Sequence, residues 1–187
     1  MTATSGASVL EVLARIGQCL RSVRVAYAMI GAWAVAAWGR PRATQDLDLL
    51  VLVDEPALVR LVGVLGEAGF RVDEGWGKWN PLLRGQQVRL QYKSVTIDLM
   101  RPRDAQDRSA IRRRRRKRLG RRYCWVVSPE DLVLQKLKVG RPHDFEDAIA
   151  VLQCCEKRLD RRYLSTWAQR LGVAAELAYV SSHATGR

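Results

Sequence analysis

Histidine is nearly missing from this chain, with two in 187 residues, and its four cysteines include no Cys-x-x-Cys pair. Cys19, Cys124, Cys154 and Cys155 therefore read as reduced packing residues, since neither a disulfide framework nor a zinc site can be built from them. Long apolar runs are also absent. The longest uncharged stretch begins at Val25 and stops at Arg40, short of the roughly 18 apolar residues a membrane span needs. The first twenty residues carry Glu11 and Arg15 and have no basic segment ahead of an apolar run, unlike a secretory leader. A cytoplasmic protein with no membrane partner is the expectation. With Gly 14 and Pro 6, 48% hydrophobic and 27% charged residues, the composition excludes collagen-like and wholly disordered classes. No internal repeat is visible, and the length suits one domain or one domain with a small appended subdomain.

Negative charge is scarce: 19 acidic residues face 32 basic ones, a net charge of +13. Residues 101–122 hold twelve basic and two acidic side chains, a net +10 that leaves only +3 for the rest. So concentrated a field attracts nucleic acid or nucleoside triphosphates and repels small polycations.

Periodicity divides the chain into a mixed αβ half and a helical half. Val9, Leu10, Leu13, Ile16 and Leu20 mark an amphipathic first helix. Val25–Ile30 reads as a buried strand, and Gly31 turns it into an Ala-rich helix that stops at Gly39 and Pro41. A strand over residues 46–53 follows, then a helix opened by Pro56 and ended by Gly69. Residues 71–85 read as a loop or hairpin arm, in which Trp76 and Trp79 suit either base stacking or the pinning of the loop. Val88–Tyr92, Val95–Met100 and Tyr123–Val127 read as strands, and helices are expected after Ser128, after Pro142 and around Tyr163–Leu171. The basic run itself is expected to be helical. The resulting fold class is α+β, a small mixed sheet flanked by helices and followed by a helical bundle. Residues 1–122 form its αβ core, including basic segment 101–122; residues 123–180 form a mainly helical subdomain, and residues 181–187 a disordered tail.

Asp46 and Asp48 stand two apart on one strand, so both carboxylates leave the same face. Two close carboxylates repel unless a cation lies between them, and hard oxygen donors favour Mg²⁺ or Mn²⁺. Asp98 sits among apolar residues of another strand, a costly place for an acid without a partner. Three such acids on adjacent strands suit two-metal phosphoryl transfer. On spacing alone, Asp46 and Asp48 also suit a turn cap and an exposed strand end.

The surrounding segments supply the context. MIGAWAVAAWGRPRATQDLDLLV resembles the nucleotidyltransferase signature of a strand, a glycine turn into a helix, and a Thr or Ser before a DxD strand. Together with SPEDLVLQKLKVGRPHDFEDA and YLSTWAQRLGV, it is similar to bacterial proteins related to the AbiEii-type toxins of type IV toxin-antitoxin systems. That resemblance implies a glycine turn at Gly31 and Ala32 against the triphosphate, and metal ligands at Asp46, Asp48 and Asp98, with Asp98 doubling as base. It also directs Lys136 toward the nucleotide and makes a later acid, Asp144 or Asp147, functional in orienting Lys136 or the acceptor; from the residues alone, Lys136 also suits a solvated helix lysine and Asp144 a salt bridge to Arg141 or Lys138. Arg42 and Thr44 could steady phosphate oxygens, or serve only as a turn arginine and a strand-entry threonine. Ala32 departs from the family, which has Ser or Gly there, so no hydroxyl reaches the triphosphate from that position.

The function these readings imply is metal-dependent transfer of a nucleoside monophosphate (NMP) from an NTP to a hydroxyl. The acceptor would be RNA such as a tRNA 3′ end, held by Arg112, Arg113, Arg114, Arg115, Arg116, Lys117 and Arg118, in a toxin-like protein with a cognate antitoxin or partner protein. Two alternatives remain: AMP transfer to a partner protein by an antitoxin-type enzyme, and a non-catalytic RNA-binding protein that retains the fold.

Overall fold

The computed structural model describes residues 8–39, 44 and 46–185. Its framework is a seven-stranded mixed sheet. β1 (Tyr27–Met29) lies antiparallel to β2 (Asp46–Val51), and β2 lies parallel to β5 (Val95–Met100). β4 (Gln87–Tyr92) and then β3 (Arg71–Val72) extend that edge. On the other side β7 (Arg122–Val126) runs parallel to β1 and carries β6 (Arg115–Leu119) as the outer strand. Alternation explains the pairing, because Leu47, Leu49, Ile97, Leu99 and Leu90 are fully buried while intervening positions are polar.

Helices cover both faces. α1 (Val9–Ser22) starts with a capping box in which the Ser8 hydroxyl accepts from the Glu11 amide and the Glu11 carboxylate accepts from the Ser8 amide. Its apolar stripe of Val12, Leu13, Ile16 and Leu20 is buried. α2 (Gly31–Trp38) connects β1 to β2, and α3 (Glu55–Glu67) begins at an Asp54 cap with Pro56 in the first turn. α6 (Pro129–Val139) runs from a Ser128 cap to Gly140 in the left-handed conformation, and α7 (Pro142–Cys155) packs against it. α8 (Arg161–Leu171) and α9 (Ala174–Thr185) complete the helical half. None of the described helices is long and apolar enough to cross a membrane.

Several segments differ from their sequence reading. Residues 71–85 contain β3 and the short helix α4 (Glu74–Trp79), capped by the Asp73 carboxylate, where a loop or arm was expected. Residues 181–185, expected in a disordered tail, continue α9. The signal was present in Val173, Leu177, Val180 and Ala184, which recur at helical spacing and pack on the core.

The largest correction concerns the basic run, which is not one helix. α5 (Ala105–Arg112) ends at its first arginine, and the rest forms β6 and a hairpin to β7 across Gly120, whose φ is +57°. This hairpin straddles the boundary expected between residues 122 and 123. A helix would stack like charges at i and i+4, whereas a strand divides them between two faces and sets them opposite aromatic rings. Arg114 lies 4.8 Å over Trp125, Arg116 4.5 Å over Tyr123, and Lys117 4.1 Å over Trp38 on α2.

One arginine of the run is structural. Arg113 stacks 3.7 Å over Tyr163 and pairs with Glu130 at 3.3 Å and Asp131 at 3.5 Å. Asp131 is fully buried and accepts from the Ser128 hydroxyl at 2.6 Å, the Tyr163 hydroxyl at 2.6 Å and Gln106 at 3.1 Å. Burial pushes its carboxyl above the ordinary range, against the pull of these donors. Removing one donor leaves buried charge undersolvated. Tyr163→Phe should therefore lower unfolding free energy by about 1–2 kcal/mol in denaturant titration, with the ring volume retained.

Candidate functional site

The site forms where the glycine turn meets the register of β2 on β5. Asp48 and Asp98 are direct neighbours across that parallel pair, and Asp46 lies opposite Thr96 at its mouth. Asp46 is exposed, Asp48 half-buried and Asp98 buried. Gly31 turns over Asp48 with φ +65°, and a Cβ there would fall 2.9 Å from the Asp48 carboxyl carbon. Both the dihedral and the close approach require glycine. The Ile30 amide donates to the Asp48 carbonyl at 3.0 Å, locking the turn to the strand. No side chain caps α2, so its first amides are available to an anion.

A cavity of about 470 Å³ opens above these residues. Gly31, Ala32, Thr44, Asp46, Asp48 and Asp98 line its sheet side, while Gln135, Lys136, Arg141 and Asp144 line it from α6 and the start of α7. Thr44 accepts from the Asp46 amide at 3.3 Å, which fixes the entry to β2. Lys136 is buried on the far wall, 2.9 Å from Asp144 and 2.8 Å from Asp147. Arg141 also donates to Asp144 at 2.7 Å. Burial pushes the Asp144 carboxyl up, yet the hydrogen bonds from Arg141 and Lys136 outweigh it and hold it below the usual range. The sequence-derived residues Gly31, Ala32, Thr44, Asp46, Asp48, Asp98, Lys136 and Asp144 thus share one cavity. Arg42 lies outside the described residues. Arg112–Arg118 lie elsewhere, at the β6 end of the sheet.

Sequence reasoning missed Arg89, which stands directly across from Asp98 on β4. Its guanidinium makes a two-point contact with that carboxylate, at 2.8 and 2.7 Å, and stacks 4.9 Å over Trp76. The available signal was the alternation of Gln87, Arg89 and Gln91 with apolar residues, which places a cation on the acidic face. His143 and Arg103 also line the cavity without having been singled out.

The electrostatics favour a cation. Burial, then the charges of Asp98 and Asp46, push the Asp48 carboxyl up from 3.8 to about 6. Among the described residues no group of three or more His, Cys, Asp or Glu side chains forms a ready metal cage. Magnesium is ordinarily held by one or two carboxylates together with substrate phosphates, and Asp46 and Asp48 supply that hard-oxygen set. The residues present therefore fit Mg²⁺ or Mn²⁺ arriving with a nucleotide, Asp98 being engaged by Arg89.

The raised Asp48 value has a definite sign. The fold binds this proton more tightly than the unfolded chain does, so stability contributed at pH 4 is lost as pH rises through about 6. Asp48→Asn should flatten that decline and raise metal-free stability at pH 7.5 by about 2 kcal/mol, read from melting curves across pH. Mg²⁺ with NTP should stabilise the wild type and not the variant.

No protein-family model matches the chain, and no curated protein does. Solved structures resemble it. The antibiotic-resistance factor ANT(2'')-Ia aligns over 94% of this chain and 93% of its own, with a TM-score of 0.54 and 15% identity. The lincosamide antibiotic adenylyltransferase LnuA aligns over 79% of this chain and 98% of its own, with a TM-score of 0.55 and 14% identity. A structure described as a nucleotidyltransferase of Thermotoga maritima aligns over 74% and 88%, with a TM-score of 0.51 and 16% identity. At these identities the likeness is one of architecture, and the α+β chain described above has the nucleotidyltransferase fold.

Proposed function

We propose that this chain is a metal-dependent nucleotidyltransferase that moves a nucleoside monophosphate from an NTP to a hydroxyl of RNA. The observation that carries the reading is the register that sets Asp48 beside Asp98 under the Gly31 turn, with Lys136 buried on the opposite wall. In the transfer, the acceptor oxygen bonds to the α-phosphorus as the bond to pyrophosphate breaks. Asp46 and Asp48 would hold the divalent ion, which, when bound, neutralises triphosphate charge. The open amides of α2 receive phosphate oxygens. Lys136, held straight between Asp144 and Asp147, presents fixed positive charge to the same cavity. Asp98 takes the proton of the attacking hydroxyl once Arg89 leaves it, and Arg89 then faces the developing phosphate charge. Ala32 withholds a side-chain hydroxyl, so backbone amides carry the phosphate contact from that turn.

The acceptor is inferred from charge. Of the structural neighbours, one is named an antibiotic-resistance factor and another a lincosamide antibiotic adenylyltransferase, and for this chain a net charge of +13 disfavours a small polycationic acceptor. A patch of +10 within residues 101–122 favours a polyanion. The sequence resemblance to AbiEii-type toxins adds a toxin-like role with an antitoxin partner; growth arrest on expression, relieved by Asp48→Asn, would be its signature.

The decisive assay supplies each α-labelled NTP with Mg²⁺ and either total RNA or total protein. Label should enter RNA, and Asp98→Ala should reduce transfer by at least about a thousandfold while leaving RNA affinity within about twofold. Label in protein would instead support the partner-modifying alternative, and no transfer from any NTP the non-catalytic one.

A further inference from the structure

We propose that the face of the β6–β7 hairpin beside α1 is a platform for single-stranded RNA. Bases would stack on Tyr123 and Trp125, and phosphates would lie along Arg116, Arg118 and Arg122. The proposal rests on the RNA-acceptor reading, which it deepens, but the surface can be tested without any transfer of label.

Strand alternation produces the surface. Lys117 points to Trp38 of α2 and Arg113 is drawn inward to Tyr163, so neither is on this face. Arg116 pairs with Trp125 and Arg118 with Tyr123 across the hairpin, so these four share one face; at the hairpin's edge Arg116 and Tyr123 also line a groove of about 290 Å³ with Leu10, Leu13 and Arg21 of α1, which Arg122 enters from the opposite face. Arg114 covers Trp125 and Arg116 covers Tyr123, yet the two aromatics stay 37% and 59% exposed. Each ring has a guanidinium on one side and solvent on another, and rings interleaved with guanidinium planes offer successive stacking surfaces to unpaired bases.

Charge selects the partner. Residues 112–122 contain nine cations and no acid, complementary to a phosphate backbone. A duplex hides its base faces in its own stack, so exposed rings favour single strands. The location is also serviceable: β6 lies three strand spacings from β2, about 14 Å. One strand could rest on the hairpin while its end turns over the sheet edge into the acidic cavity.

The test is fluorescence anisotropy of the full chain with a labelled single-stranded RNA of about 12 nucleotides, without NTP or metal. It should bind more tightly than a blunt duplex of the same sequence. Tyr123→Ala and Trp125→Ala should each weaken binding about tenfold, and Tyr123→Phe and Trp125→Phe should restore it to within about threefold. The triple variant Arg116→Gln, Arg118→Gln, Arg122→Gln should flatten the log–log salt slope by about two. Melting curves check that each variant folds, and the three arginines, being exposed, keep the test open if an aromatic variant unfolds. Equal binding of duplex and single strand, with no effect of either alanine, would overturn the platform. Displacement of RNA by polyglutamate at equal charge concentration would overturn it in favour of an acidic protein partner. RNA binding as expected with no label transfer would count against the acceptor reading alone; transfer without binding loss in the variants would count against the platform alone.

Discussion

Two carboxylates held side by side in a parallel strand pair are the constraint around which this molecule is arranged. Asp48 and Asp98 face each other in register, with Asp46 one step away, so the sheet carries a repulsion between partly buried carboxylates. The fold answers it in two ways. Arg89, directly opposite on β4, cancels the charge of Asp98 with a two-point contact. Lys136, brought in by α6, pairs with both Asp144 and Asp147, and its charge pulls the Asp48 carboxyl down against the push of Asp98 and Asp46. What neither removes is the charge of Asp46 and Asp48, and on the proposed function that remainder is what a divalent ion would neutralise.

The same constraint explains local features that otherwise look arbitrary. Gly31 is glycine because Asp48 fills the space where a side chain would stand, so the turn into α2 and the β2 carboxylate are one piece of packing. α6 carries Lys136 inward only because its N-terminus is anchored elsewhere, by Asp131, Ser128, Tyr163 and Arg113. ANT(2'')-Ia and LnuA share this fold at 15% and 14% identity, so the architecture persists with most of the sequence replaced.

What was legible in the sequence divides along physical lines. Strands with alternating leucines, the capped helices at Ser128 and Asp54, and the Asp46–Asp48 pair follow local rules that need no tertiary knowledge, and they place the sheet and most of the cavity. Arg89 was half hidden: alternation within β4 states which face it takes, but only the cross-strand register sets it opposite Asp98. Helix α9 was passed over because a polar, Ser-rich ending resembles a tail, although Val173, Leu177 and Val180 were already periodic.

The basic run shows why composition misleads about local form. Read as a helix, consecutive cations surround the axis and only repel. With β6 as a strand, the run's cations are sorted: Arg116 meets an aromatic ring across the hairpin, Lys117 a tryptophan on α2, and Arg113, just ahead of the strand, a buried acid pair. That sorting requires a partner strand with aromatics at alternate positions, and β7 provides Tyr123 and Trp125 on one face and Cys124 and Val126 on the other. Cation–π contacts and hairpin pairing then stabilise a conformation that charge alone opposes. The apolar side of β7 seals the core while the opposite side leaves arginines and rings in solvent. A charge cluster that would be passive on a helix is, in this register, an ordered surface.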